Sequence, residues 1–222
     1  MKICAISDTH RRHNDISVPE ADVLVHCGDF TNQGTTDEFK SFLNWFSSLT
    51  HKHKIFICGN HELGMDVYPK NIKKKELIKK YVDNYLDFYY LENSSIIIDG
   101  VKFYGSPATP FFRNWAFNID KSAIGLTWDL IESDTNVLIT HGPPYQILDS
   151  VIMRFGEDRD PHQGCPSLFN RIQELKQLKA HLFGHLHLQG GNSVNHNGVV
   201  YVNSAMCDEA YQPVRQAQVI SI

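Results

Sequence analysis

Five short apolar runs of this chain end in side chains able to bind a metal: Asp8-Thr9-His10, Gly28-Asp29, Gly59-Asn60-His61, His141-Gly142 and Gly184-His185-Leu186-His187. Carboxylate, amide oxygen and imidazole together suit Mn²⁺, Fe²⁺/Fe³⁺ or Zn²⁺ better than Mg²⁺ or Ca²⁺, which favour all-oxygen shells. Asp8, His10, Asp29, Asn60, His141, His185 and His187 are more ligands than one ion takes. Two divalent ions sharing a bridging carboxylate would use them, held roughly 3.5–4 Å apart so as to clamp the attacking and departing oxygens of a phosphoester. Singly, the fragments say little, since Asp8-x-His10 also suits a turn and helix start and Gly28-Asp29 a plain turn. Gly184-His185-x-His187 says more, because residues two apart in an extended stretch point the same way. Together and in this order, they imply a two-metal hydrolytic site.

Groups so distant in sequence meet when the strands carrying them are parallel, because the carboxyl ends of an open α/β sheet face one crevice. The runs 2–7, 22–27, 54–58, 136–140 and 181–183 are continuously apolar, as strands buried on both faces are. Between the second and third, Thr35 and Glu38 form a capping-box pattern ahead of a stripe of Phe39, Phe42, Leu43, Phe46 and Leu49 at helical spacing. Strand, helix, strand predicts a parallel crossover. A second helix is expected over 72–85, where Lys73, Lys74, Lys75, Lys79 and Lys80 read as a solvated face. A third should follow Pro166. Residues 95–104 and 193–203 read as hairpins turning at Asp99-Gly100 and Asn197-Gly198. The expected class is α/β, with two kinds of strand in mixed sheets between helices.

The 222 residues suit one domain, 1–222. Neither the 42% hydrophobic nor the 21% charged fraction indicates disorder, and no apolar run approaches the roughly 20 residues of a membrane helix. A net charge of −4 argues against general nucleic-acid binding. The sequence from Met1 to Ile6 lacks the pattern of a signal peptide, so a cytoplasmic protein is expected. The five cysteines have no framework spacing and read as reduced, structural thiols. Of the twelve histidines, His51 and His53 are expected at the surface, in a polar loop with Lys52 and Lys54.

The ordered set Asp8-x-His10, Gly28-Asp29, Gly59-Asn60-His61-Glu62, His141 and Gly184-His185-x-His187 resembles the calcineurin-like metallophosphoesterase superfamily. The segments Gly105-Ser106-Pro107-Ala108-Thr109-Pro110, Trp115-Ala116-Phe117-Asn118 and Thr140-His141-Gly142-Pro143-Pro144 resemble more narrowly its small, brain-type metallophosphoesterase-domain phosphodiesterases. The resemblance spans the chain and implies a four-layer α-β-β-α sandwich of two mixed sheets, a two-metal centre and hydrolysis of phosphate esters by a metal-bridging hydroxide. It assigns Asp8, His10 and His187 to one ion and Asn60, His141 and His185 to the other, with Asp29 bridging. His61 would then sit over the scissile ester beside Asn60, as general acid or as donor to a phosphate oxygen, with Glu62 orienting it.

Asp29 is followed by Phe30-Thr31-Asn32-Gln33-Gly34, without the Asp-Arg pair of the superfamily's protein phosphatases. Only residues 188–222 follow the last ligand, which leaves little room for the capping domain of its nucleases. A small phosphodiesterase remains, acting on small phosphodiesters of nucleotide or cyclic-nucleotide type. Phe111, Phe112, Arg113, Asn114 and Trp115 would stack a base such as a purine and hold a phosphate, although core packing also explains such aromatics. The charged loop 154–164, with His162, is a second candidate border of the cleft. A phosphomonoesterase of the same fold is one alternative. A nucleotide-binding scaffold without turnover is another, but it predicts lost ligands or a missing His61, and all are present.

Overall fold

The protein is described here by a computed structural model covering residues 1–152 and 160–222. In chain order the elements are β1 (Lys2–Ile6), β2 (Val23–His26), α1 (Thr36–Ser48), β3 (His53–Phe56), α2 (Lys70–Asn84) and β4 (Phe88–Tyr90), then β5 (Ser94–Ile98) and β6 (Val101–Ser106). There follow the short pair β7 (Thr109–Pro110) and β8 (Asn118–Ile119), then α3 (Ile124–Trp128), β9 (Val137–Thr140), α4 (Pro166–Glu174), β10 (Ala180–Phe183), β11 (Asn192–His196), β12 (Val199–Asn203) and β13 (Gln218–Ser221).

The strands form two mixed sheets, in the orders β13-β1-β2-β3-β4 and β11-β12-β10-β9-β6-β5. In the first, β1 to β4 are mutually parallel and β13 runs against β1. In the second, β12, β10, β9 and β6 are parallel, flanked by the hairpin strands β11 and β5. Both hairpins turn where the sequence places them, with positive φ at Asp99, Gly100, Asn197 and Gly198 as a type I′ turn demands.

Alternation along the strands builds the layers. Cys4 and Ile6 of β1 face the phenylalanine stripe of α1, while Ile3 and Ala5 join Val137, Ile139, Leu182 and Val202 between the sheets. Trp128 of α3 and Leu168 and Ile172 of α4 cover the far face of the second sheet, giving α-β-β-α. Phe30 and Phe42 stack with centroids 3.9 Å apart, and each buried phenylalanine is worth about 1.5–3 kcal/mol. Thr35 and Glu38 form the expected capping box at the start of α1.

Two local expectations fail. His51 and His53 are buried, not at the surface: His53 opens β3 beside Asp87, 3.2 Å away, and the His51 Nε2–H donates to the Pro19 carbonyl at 2.8 Å. Lys74 is likewise buried, its ammonium donating to the Leu63 carbonyl and lying 5.7 Å from the Phe39 ring. Only the rest of the lysine run is a solvated face, Lys75 and Lys79 pairing with Glu92 and Asp83.

Candidate active site

Both sheets deliver their strand ends to one crevice. Asp8 and His10 follow β1, Asp29 follows β2, Asn60 and His61 follow β3, His141 follows β9, and His185 and His187 follow β10. Leaving a strand so abruptly requires unusual backbone, and Asp8, His10, Asp29 and His185 all adopt positive φ between 41° and 69°. Non-glycine residues hold that region only where their surroundings enforce it. Two glycines make room for the convergence. A Cβ on Gly184 would lie 2.0 Å from Asp8 Oδ2, and one on Gly59 would lie 2.5 Å from Asp29 Oδ1.

The side chains gather in two groups linked by a third, His10, Asp29 and His61, which shares His10 with one and Asp29 with the other. Ligand atoms of Asp8, His10 and His187 lie within 4.8 Å of one another, as do those of Asp29, His141 and His185. Asn60 completes the second group, its Oδ1 being 2.9 Å from His141 Nε2. Asp29 Oδ2 lies 3.2 Å from the same nitrogen, while Asp29 Oδ1 accepts the His61 N–H at 2.7 Å.

Backbone carbonyls set the tautomers. A carbonyl only accepts, so His141 Nδ1 must carry the proton it gives to Cys27 O at 2.9 Å, and His187 Nδ1 the one it gives to Asp208 O at 2.8 Å. In the neutral rings both Nε2 atoms are therefore bare lone pairs. His187 Nε2 meets His10 Nε2 at 3.2 Å and Asp8 Oδ1 at 3.3 Å, and Asp8 Oδ1 is buried with no hydrogen-bond partner. With both rings neutral, His187 Nε2 faces the Asp8 carboxylate and His141 Nε2 faces Asn60 Oδ1 and the Asp29 carboxylate, acceptor against acceptor, so the donor set fits metal ions.

The electrostatics agree. Burial opposes ionisation of Asp8 and Asp29, yet the histidines hold both carboxyls below the usual range, His187 foremost for Asp8 and His141 for Asp29. Burial keeps His10 and His185 neutral, with pKa values lowered to about 4. For His141 burial acts the same way, but the Asp29 carboxylate outweighs it and raises the pKa to about 9.

Glu62 does not orient the His61 ring. The His61 Nδ1–H donates instead to the Asn32 carbonyl at 2.9 Å. Fully buried, the Glu62 carboxyl accepts the N–H groups of Gly59, Asp29 and Thr31 at 2.6, 2.9 and 2.9 Å, fastening the loop after β2 to the loop after β3. Its burial, and then the charge of Asp29, raise its pKa to about 8.

Above these groups opens a cavity of about 520 Å³ lined by Asp29, Asn60, His61, Arg113, Trp115 and His185, among others. The aromatic segment is thus at the cleft, not in the core. Trp115 packs on His61 with centroids 4.4 Å apart, and the Ala116 N–H donates to the Asn60 carbonyl, tying that segment to the site. Phe111 and Phe112 are exposed, and Arg113 lies over the Phe112 ring. Of loop 154–164, Arg154 and its neighbours through residue 159 fall outside the described residues. His162 turns away to pair with buried Asp149, its Nδ1 2.6 Å from Asp149 Oδ1. Val151 and Ile152 line the cavity instead, and so do Glu209 and Tyr211, which the sequence reading missed. Their segment, Asp208-Glu209-Ala210-Tyr211-Gln212, has no periodicity or metal-type spacing to mark it.

The calcineurin-like phosphoesterase family matches residues 1–189. Over its whole length the chain is similar to metallophosphoesterase domain-containing protein 1 of Homo sapiens, 36% identical over 236 residues and covering 71% of that protein. UPF0046 protein K07C11.7 of Caenorhabditis elegans is 36% identical over 223 residues, covering 96% of this chain and 72% of its own. A more distant relative, the 3′,5′-cyclic-nucleotide phosphodiesterase alr5338 of Nostoc sp., is 26% identical over 171 residues, covering 76% of this chain and 57% of that protein. The crystal structure of TT1561 of Thermus thermophilus shares the fold, with a TM-score of 0.63 at 11% identity, covering 99% of this chain and 98% of that one. The chain belongs to the calcineurin-like phosphoesterase family. Its members use divalent metal ions, and the His and Asp groups described above are able to bind them. Among the described residues no helix is long and apolar enough to cross a membrane.

Proposed function

We propose that this chain, as a single domain over 1–222, is a two-metal phosphodiesterase acting on small nucleotide-type phosphodiesters, purine nucleotides included. The observation that supports the reading is the pair of ligand groups linked by a third that holds His10, Asp29 and His61, with His61 on the cavity wall. Asp8, His10 and His187 would hold one ion and Asn60, His141 and His185 the other, with Asp29 shared. When bound, such ions lower the pKa of water towards neutrality and neutralise charge developing on phosphoryl oxygens.

The remaining chemistry belongs to the chain itself. With Nδ1–H fixed on Asn32, His61 has only Nε2 to offer the substrate, and as imidazolium it can give that proton to the departing oxygen. Trp115 offers a face for a planar group and Arg113 a positive charge at the mouth, while Asn60 borders the substrate beside the second ion. The distant cyclic-nucleotide phosphodiesterase relative supports the diester reading. Free, buried thiols at all five cysteines support action in the reducing cytosol.

The test is elemental analysis of the purified protein, with hydrolysis of bis-p-nitrophenyl phosphate and p-nitrophenyl phosphate measured after chelation and reloading with Mn²⁺, Fe²⁺ or Zn²⁺. Faster cleavage of the diester is expected. A decisive preference for the monoester would replace the reading with a phosphomonoesterase.

A further inference from the structure

Tyr211 sits in a conformation that its own type disfavours. Its φ is +58°, in the left-handed region that a bulky residue adopts only when its surroundings impose it. Asp208 imposes it: its Oδ1 accepts the Ala210 and Gln212 N–H groups at 2.9 Å each, and its carbonyl accepts the Tyr211 N–H at 2.9 Å. The same carbonyl accepts the His187 Nδ1–H, so the turn is fastened to the metal-type cluster.

The ring is thereby directed inward. It packs edge-on against His10 with centroids 4.4 Å apart, and lies 5.7 Å from His187 and 6.0 Å from His61. It is nevertheless no core residue, being 44% exposed and lining the cavity. Among the described residues its hydroxyl makes no hydrogen bond, so what Tyr211 brings to the cavity is its ring. Trp115 also packs on His61, and no ring contact joins Trp115 to Tyr211 among the described residues. Two aromatic side chains near His61 therefore border one cavity, with Ile152 adding apolar surface.

We infer that Tyr211 is a specificity-determining residue that, with Trp115, forms a slot for a planar aromatic arm on the non-leaving oxygen of a phosphodiester. The inference rests on the diesterase reading above and deepens it. A monoester has no second arm and leaves the slot empty. A methyl arm fills it without stacking, whereas an aromatic arm gains contact with both rings, a type of contact worth roughly tenfold in affinity or more.

The experiment uses two diesters with a common leaving group, phenyl p-nitrophenyl phosphate and methyl p-nitrophenyl phosphate, on metal-loaded enzyme. In both, water adds to phosphorus and p-nitrophenolate departs with the electron pair of its P–O bond, so only the retained arm differs. Wild type should prefer the phenyl ester, chiefly through KM. Tyr211→Ala should lower the phenyl-to-methyl ratio of kcat/KM about tenfold, and Tyr211→Phe, which keeps the ring, should preserve that ratio. Metal content is measured for each variant. Equal losses on both esters, or lost metal, would make Tyr211 a support for His10 and overturn the slot. Wild type cleaving both diesters without preference would also overturn the slot, yet leave the diesterase reading standing. Cleavage of neither diester, with p-nitrophenyl phosphate still hydrolysed, would remove the diesterase reading itself.

Discussion

Asp8, Asp29 and His141 at the bottom of the crevice are buried on every side, whereas Phe112, Arg113 and Tyr211 at its mouth project from exposed turns. The bottom is held by strand ends from both sheets, by the Glu62 clasp, and by carbonyls that fix the tautomers of His141 and His187. The mouth is held by short local devices. The Asn118 amide donates to the Phe112 and Arg113 carbonyls at 3.1 Å each, Arg113 itself sits at a φ of +56°, and Asp208 braces the turn of Tyr211. A site built this way separates two tasks. The bottom can be rigid enough to fix reactive groups to within a fraction of an ångström, while the mouth can vary with the substrate at little cost to the core.

If that division is right, changes at the bottom should abolish activity and changes at the mouth should only redirect it. Chelation should eliminate hydrolysis, with Mn²⁺ or another first-row ion restoring it and Ca²⁺ failing, because imidazole ligands serve hard cations poorly. Full activity in metal-free protein would end the two-metal reading. Asp29→Asn should cost about 10³-fold or more in kcat, since the shared carboxylate is proposed to hold both ions and their electrostatic contribution is several kcal/mol. Near-normal turnover and metal content in that variant would move the bridge elsewhere.

His61 stands between the two regions, on the cavity wall but with its ring fixed by Asn32. A general acid matters in proportion to the leaving group's need for a proton. His61→Ala should therefore slow diesters with a ribose leaving group by about 10²–10⁴, and nitrophenyl esters much less. Equal losses on both would reassign His61 to phosphate binding.

Buried histidines, His26 of β2 and His181 of β10 as well as those of the crevice, also predict a pH signature for the metal-free protein. His26 and His181 are lowered by burial to about 3, and His10 and His185 to about 4, so each stays neutral in the fold while the unfolded chain takes up a proton near pH 6.5. The unfolded state then binds more protons below pH 6.5, and stability falls on acidification by at most about 1.4 kcal/mol per pH unit for each histidine. His141 runs the other way. Burial works against its charged form, but Asp29 raises its pKa to about 9, so its contribution is full below pH 6.5 and lost as pH rises through 9. Urea midpoints of chelated protein should therefore peak near pH 6.5. A flat profile from pH 5 to 9 would contradict the burial argument.

The same contrast explains what the sequence revealed. The strand runs, the Thr35–Glu38 capping box, the two hairpin turns and the convergence of Asp8, Asp29, Asn60, His141 and His185 are all written in local pattern or in residue types at strand ends. Tyr211 and Asp208 are not, because their placement depends on a turn braced by its own side chain and fastened to His187. The burial of His51 and Lys74 depends on acceptors at Pro19 and Leu63, which no local pattern announces. Glu62 was visible as a member of the motif, but its partners Asp29 and Thr31 lie on another loop, so its task as a clasp could only be seen in three dimensions.

The smallest expected effect, and the sharpest test of the mouth, concerns Trp115. Its ring lies on His61 and lines the cavity, so it can act on substrate by stacking or on His61 by support. Stacking predicts that Trp115→Ala weakens competitive inhibition by purine nucleotides about tenfold while a non-stacking inhibitor such as inorganic phosphate keeps its affinity. Support predicts the reverse emphasis: inhibition by both changes little, and kcat falls with the substrate dependence expected of a displaced His61. If nucleotide inhibition is unaltered, Trp115 belongs with the parts that position the bottom of the crevice, and the line between the two regions must be redrawn above it, leaving Arg113 and Tyr211 as the mouth.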